Sequence, residues 1–269
     1  MQIEEYHSHP ALGSSLLSVL LKNAKIFKRV RDRGFNISNK NLDIGSALHC
    51  FVLEPEKFDD YFMVVPDINK RTKEGKKIIE EFSKQKKTLL TKEDFAIVKQ
   101  MSQKLGELKK MRHWLKIGEA EKSFFGEYNG VEIKCRPDLL VKTSKGYLVI
   151  DLKTTATEAT PQNFAKSSAN FLYYLQEAVY REVLKQNDIE VIKFLFAYVS
   201  KQEVSGAIYC EHDYIALEEG ETLLQKAIQK YRFCNENNIW KEEKFDFETN
   251  SFEKINTISL PTYAFYQFL

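Results

Sequence analysis

The stretch Lys134-Cys135-Arg136-Pro137-Asp138-Leu139-Leu140, followed by Tyr147-Leu148-Val149-Ile150-Asp151-Leu152-Lys153, decides how this chain is read. Tyr147 to Lys153 predicts a strand, and its near-continuous apolar run from Tyr147 to Ile150 predicts burial on both faces. Asp151 and Lys153 are two residues apart, so their side chains leave the same face. Leu139 to Lys142 predicts the preceding strand, and the turn Ser144-Lys145-Gly146 is short enough to bring Asp138 back beside Asp151. Two carboxylates and an ammonium then converge at one strand end. Adjacent carboxylates repel unless a cation sits between them. A hard divalent ion such as Mg2+ takes oxygen ligands and keeps positions for water and phosphate. It makes bound water more acidic and neutralises charge on a phosphodiester, while Lys153 could orient the water or stabilise the transition state. An ordinary ion pair at a strand end has the same spacing, so the pattern alone leaves both readings open.

Outward from this stretch, Glu121 to Tyr128 predicts a strand, Asn129-Gly130 a hairpin turn, and Val131 to Cys135 the returning strand of a meander. Pro161 to Lys185 predicts one helix, with Thr160 as N-cap and Pro161 at the first helical position. Val191 to Ser200 predicts a buried strand that Gly206 to Cys210 could join, and Tyr214 to Asn235 a further helix. The first third predicts helices: one capped by Ser14 or Ser15, one over Ile44 to Leu53 stopped by Pro55, one over Lys73 to Lys86, and an amphipathic one over Lys92 to Trp114. The expected fold is α/β, a mixed central sheet flanked by helices behind an N-terminal helical extension. The expected organisation is a single domain over residues 1–269: mainly helical to 118, a sheet core over 119–210, and a helix and tail over 211–269.

With 269 residues, 43% hydrophobic and 29% charged, the chain can bury a real core and is neither disordered nor a disulfide-dense mini-protein. It holds no apolar run of transmembrane length, and its first ten residues carry acids and histidines rather than a secretory pattern. Cys50, Cys135, Cys210 and Cys234 form no CxxC pair, so free thiols and a cytoplasmic location are expected. Residues 66–116 hold fifteen Lys/Arg against seven Asp/Glu. That segment could contact phosphates, with Lys70, Arg71, Lys73, Lys76 and Lys77 nearest an expected loop. A solvated helix surface has the same composition.

Gln176 and Tyr180 lie four apart and share a helix face that could point at the active strand end. His49, in the small-residue run Gly45-Ser46-Ala47-Leu48-His49, could be a metal ligand or a hydrogen-bonded core histidine. Asp138 with Asp151-x-Lys153 resembles the core pattern of the PD-(D/E)xK nuclease superfamily. With His49, Gln176-x-x-x-Tyr180, Leu53-Glu54-Pro55-Glu56-Lys57-Phe58, Asp151-Leu152-Lys153-Thr154-Thr155 and Leu260-Pro261, the sequence further resembles the exodeoxyribonuclease VIII (RecE-type) C-terminal nuclease family.

The resemblance implies a Mg2+-dependent exonuclease (Mn2+ substituting) that degrades one strand of linear double-stranded DNA from its 5′ end. It also implies a ring-like homo-oligomer and a single-strand annealing recombinase as partner. Carried over by position, His49, Asp138, Asp151 and the carbonyl of Leu152 would hold the metal, Lys153 would be the catalytic lysine, and Glu121 would sit near the metal. Gln176 and Tyr180 would fix the site and the scissile phosphate. Tyr174 departs from the histidine that the family often has there. An endonuclease of the same fold and a non-catalytic DNA-binding protein on that fold are the alternatives.

Overall fold

The computed structural model describes residues 3–33, 40–65, 72 and 87–252. The expected helix over Lys73 to Lys86, the basic residues Lys70, Arg71, Lys73, Lys76 and Lys77, and Leu260-Pro261 lie outside the described residues.

At the centre is β7 (Gly146–Thr155), paired antiparallel with β6 (Leu139–Thr143) and parallel with β8 (Val191–Ser200). Two short strands close the sheet, β3 (Glu119–Ala120) against β6 and β9 (Ala207–Cys210) against β8, giving the order β3-β6-β7-β8-β9 among the described residues. The alternation of side chains splits the core into two layers. Val149, Phe194, Phe196 and Tyr198 face α2 (Ser14–Lys22), α8 (Pro161–Phe171), α9 (Tyr173–Lys185) and α10 (Tyr214–Glu236). Leu148, Ile150, Leu152, Leu195, Ala197 and Val199 face α4 (Lys40–Leu53) and α6 (Lys92–Glu107). Burial on both faces is why these two strands lack an apolar–polar alternation. No described helix is long and apolar enough to cross a membrane, and the four cysteines are free thiols.

Four expected elements are cut differently. First, the meander is not continuous. β4 (Phe124–Tyr128) and β5 (Val131–Cys135) form their own hairpin over Asn129-Gly130, whose φ values of 49° and 80° suit a type I′ turn. That hairpin pairs through Ile133 with Leu12, not with β6. Pro137, which has no amide to donate, stands between the two sheets. Second, the expected strand from Glu121 is interrupted: Glu121 has φ 51° and separates β3 from β4. Third, the helix expected over Pro161 to Lys185 breaks at Leu172, which takes the left-handed conformation (φ 56°, ψ 49°). Thr160 does cap its start, accepting from the Asn163 amide. Fourth, the helix expected to Trp114 ends at Glu107 and resumes as α7 (Met111–Ile117) after a left-handed Lys110. Its start is fixed by a capping box between Thr91 and Asp94. The first of the serine caps is also displaced, since Gly13 is the N-cap of α2 and Ser14 is already helical.

Buried lysines terminate elements where the chain turns. Lys134 Nζ donates to the carbonyls of Tyr6 in the last turn of α1 (Ile3–Ser8) and of His9 just after it, Lys230 Nζ to Leu21 at the end of α2, and Lys104 Nζ to Ser200 at the end of β8 and to Gln202 just past it. Each donates to carbonyls at or just past an element's end, where the helix or sheet ladder runs out of donors.

The contact between α9 and α10 has no slack. A Cβ at Gly220 would lie 2.4 Å from the Tyr174 carbonyl oxygen. Gly220→Ala should gain about 1 kcal/mol of helix propensity but lose roughly 1–3 kcal/mol to the backbone displacement. The expected net result is a melting temperature lower by a few degrees. An unchanged or higher midpoint would show that the helices can separate freely.

Candidate active site

The site forms where β6 parts from β7. Pairing between them begins at Leu139 and Ile150, whereas β7 continues beside β8 to Thr155 and Ser200. Beyond Ile150, side chains take over the open edge. The Leu152 amide donates to Asp138 Oδ2 at 2.6 Å, and the Leu152 carbonyl accepts from His49 Nε2 at 3.1 Å. His49 Nδ1 lies 3.4 Å from Asp138 Oδ2. His49 reaches the strand because α4 comes close: a Cβ at Gly45 would lie 3.8 Å from Thr154 Oγ1.

Asp151 and Lys153 share the α9 face of β7, as their spacing predicts. Lys153 Nζ pairs with Asp151 Oδ1 and donates to Gln176 Oε1 at 2.9 Å. Gln176 Nε2 donates to Asp151 Oδ2 at 2.5 Å. Asp151 is only 1% exposed, and its Oδ1 makes no hydrogen bond, only the ion pair.

The third carboxylate arrives through the backbone kink. With its left-handed φ, Glu121 takes a conformation that costs a non-glycine residue roughly 1–2 kcal/mol. Its amide donates to the Asp138 carbonyl at 3.2 Å, and its Oε2 accepts from Arg136 Nε at 2.8 Å. Arg136 also donates to Ser123 Oγ. One ligand atom from each of His49, Glu121 and Asp138 lies within 4.8 Å of the others. Tyr180 is buried, and its hydroxyl donates to the Arg136 carbonyl at 3.1 Å. It therefore holds the Arg136–Asp138 segment in place. Tyr174 lies edge-on to His212.

Sequence reasoning gave no role to Arg136, which holds Glu121 with Ser123 behind it, or to Tyr173, whose ring lies 4.7 Å from Lys153 Nζ. It also missed the lock on α9. Glu177 accepts from Arg181 Nε and lies 2.8 Å from His212 Nδ1, while His212 Nε2 lies 2.7 Å from Ser168 Oγ. The serine, histidine and glutamate have the connectivity of a hydrolase relay, but Ser168 is only 5% exposed, which keeps a substrate from its hydroxyl. The charge of Arg136 beside Pro137-Asp138 was the available signal; the others needed the fold.

Electrostatics set the protonation states. Burial opposes the His49 imidazolium, but the Asp138 carboxylate outweighs it, with Glu121 and Asp151 behind, and lifts His49 to about 9. Burial and the charge on Asp138 push Glu121 up to about 7 against the pull of Arg136. Burial lifts Asp151 to about 6 despite Lys153. Asp138 is held below its ordinary value, because His49, Lys153 and the Leu152 amide outweigh its burial. Lys153 is held above its ordinary value, because Asp151 and Asp138 outweigh its burial. An imidazole with two carboxylates, beside the Leu152 carbonyl at the open strand edge and the Asp151 carboxylate, makes a donor set that fits a hard or borderline divalent ion.

Ligation requires neutral imidazole and ionised carboxylate. His49 is raised, so below about 9 a divalent ion must expel its proton, and below about 7 one from Glu121 as well. The apparent affinity for Mn2+ should therefore weaken roughly tenfold per pH unit from pH 8.5 to 7, and more steeply below. Calorimetry in buffers of different ionisation heat should show about one proton released at pH 8, and none from His49→Gln. Affinity independent of pH would remove His49 from the ligand set.

With this geometry established, the comparisons place the chain. A crystal structure from Eubacterium rectale, of a "putative exonuclease", superposes with a TM-score of 0.61 at 16% identity, covering 99% of this chain and 96% of that one. At that identity the likeness is one of fold. The structure of SSO0001 overlaps with a TM-score of only 0.32 at 13% identity, covering 72% of this chain and 87% of that one. No curated protein matches the sequence significantly. The family of PDDEXK-like domains of unknown function, DUF3799, matches residues 14–247. The chain belongs to that family, and its mixed sheet flanked by helices is a PD-(D/E)xK nuclease fold.

Proposed function

We propose that this protein is a Mg2+-dependent exodeoxyribonuclease, with Mn2+ able to substitute, that shortens one strand of linear duplex DNA from its ends. The observation that carries the reading is the convergence of His49, Glu121 and Asp138 beside the Asp151–Lys153–Gln176 triangle at one strand split. The sequence resemblance to RecE-type nucleases supports a 5′ to 3′ direction, a ring-like homo-oligomer, and delivery of single-stranded DNA to an annealing recombinase.

A divalent cation held by His49, Glu121 and Asp138 would supply Lewis acidity. The chain's own residues do the rest. Asp138, fixed by the Leu152 amide, and Glu121, fixed by Arg136, give the cation a rigid anionic seat. An ammonium has three donors. Gln176 takes one from Lys153 and Asp151 engages a second, leaving the third for a phosphate oxygen or the attacking water. Water adds to phosphorus and gives up a proton to solvent, the bond to the leaving oxygen breaks, and that oxygen takes up a proton from solvent, so the proton count closes. Lys153 stabilises the charge that develops on the phosphoryl oxygens.

Asp151→Ala and Lys153→Ala should each lower cleavage of linear duplex with Mg2+ at least about a hundredfold, the effect of losing roughly 3 kcal/mol of transition-state stabilisation. Circular dichroism should show both folds retained. Near-wild-type cleavage by either purified variant would refute the assignment. End-labelled linear duplex should lose its 5′ label first, while covalently closed plasmid survives. Cutting of the circle would favour an endonuclease, and tight binding without hydrolysis would favour a non-catalytic role.

The basic segment that includes Lys70, Arg71, Lys73, Lys76 and Lys77 is proposed as the DNA-backbone contact on its charge alone. Affinity should fall steeply with salt, and Lys76→Glu with Lys77→Glu should flatten the log–log slope by about 0.9 for each phosphate that is no longer neutralised. An unchanged slope would leave these lysines a solubilising role.

A further inference from the structure

A column of aromatic rings runs from the core to the surface beside Lys153. Phe196 is buried in β8, Tyr173 stacks on it at 5.8 Å and 21°, and Phe171 stacks on Tyr173 at 5.8 Å and 20°. The middle ring is the one under the Lys153 ammonium. The outer ring is 63% exposed, and among the described residues Tyr173 is its only ring partner.

This placement is built. Phe171 ends α8, Tyr173 begins α9, and Leu172 between them holds a left-handed conformation with no glycine to ease it. The carbonyl of Asn170 at the same corner accepts from Lys22 Nζ at 2.9 Å, tying the helix end to α2. A single exposed phenylalanine is ordinary on a protein surface. One stacked, offset, on the ring that lies under the site's lysine, at a strained and anchored corner, is a platform.

We propose that Phe171 is a nucleobase-stacking residue: one unpaired base of the strand being cut lies on its open face and extends the Phe196–Tyr173–Phe171 column. Stacking on a phenylalanine tolerates every base, because each has a π-face. The contact therefore suits an enzyme that acts at any end, and it holds the backbone of that nucleotide close to Lys153. The inference rests on the nuclease reading above and adds to it a position-specific demand for an unpaired base.

The test is binding of fluorescein-labelled duplex with a short unpaired 5′ or 3′ end, followed by anisotropy in EDTA. Wild type, Phe171→Ala and Phe171→Trp are compared on oligonucleotides carrying one abasic nucleotide at successive positions. Phe171→Ala should weaken binding about 5- to 150-fold, the loss expected for one base–aromatic stack. Phe171→Trp should keep wild-type affinity. One abasic position should cost wild type a similar factor and cost Phe171→Ala nothing more. Because the side chain is exposed, the alanine variant should melt with wild type, and binding reports the contact rather than the fold. Unchanged affinity of Phe171→Ala, or abasic penalties that add in full to it, would overturn the proposal while leaving the nuclease reading standing. If wild type binds none of these DNAs yet cleaves linear duplex with Mg2+, the proposal falls and the nuclease reading stands; if it neither binds nor cleaves, both fall.

Discussion

The hydrogen bond from the Leu152 amide to the Asp138 carboxylate is the interaction on which the rest of the site depends. A central strand that loses its neighbour halfway leaves buried amides and carbonyls without partners, which is costly. Here β6 stops at Leu139, and Asp138, the residue just before it, supplies the missing acceptor. The same bond fixes the carboxylate against the open edge of β7. His49 completes the edge from the other layer by meeting the Leu152 carbonyl. Closing the sheet edge and placing the acidic groups are therefore one structural event.

That event concentrates charge in a buried place. Glu121, Asp138 and Asp151 face Arg136, Lys153 and a His49 whose imidazolium is favoured by its surroundings. Three acidic groups, two of them held above their ordinary pKa, are thus opposed by three basic groups before any metal is considered. The imidazolium stands where a divalent ion would be stabilised, so the folded chain tolerates its own acidic cluster. Exchange of that proton for a metal is the same linkage seen from the other side.

The helices answer to this cluster. Gln176 reads both Asp151 and Lys153, and the next residue, Glu177, is gripped by Arg181 and His212, with Ser168 behind the histidine. Tyr180, one turn on from Gln176, holds the Arg136 carbonyl. Helix α9 is fixed at three successive levels to the strand that carries Lys153, the segment that carries Asp138 and the neighbouring helix. Gly220 lets α10 press on it from outside.

Several features were legible in the sequence because they are local. The two-residue spacing of Asp151 and Lys153 puts them on one face, the apolar run before them marks a strand buried on both sides, Asn129-Gly130 dictates a tight hairpin, and Gln176 and Tyr180 share a helix face. The mixed α/β order follows from the same periodicities. What the sequence could not show are the departures that carry no local mark. Leu172 and Glu121 adopt left-handed backbone without glycine, so their kinks exist only because the surrounding packing outweighs the strain. The separation of the β4–β5 hairpin from the central sheet was decided by Leu12, more than a hundred residues away, which takes the edge of β5. His49 beside Leu152, and Arg136 turned onto Glu121, are juxtapositions between distant elements. Spacing along a strand or helix is set by backbone geometry and can be counted; which element packs against which edge is set by the whole core, and only the tertiary structure decided it.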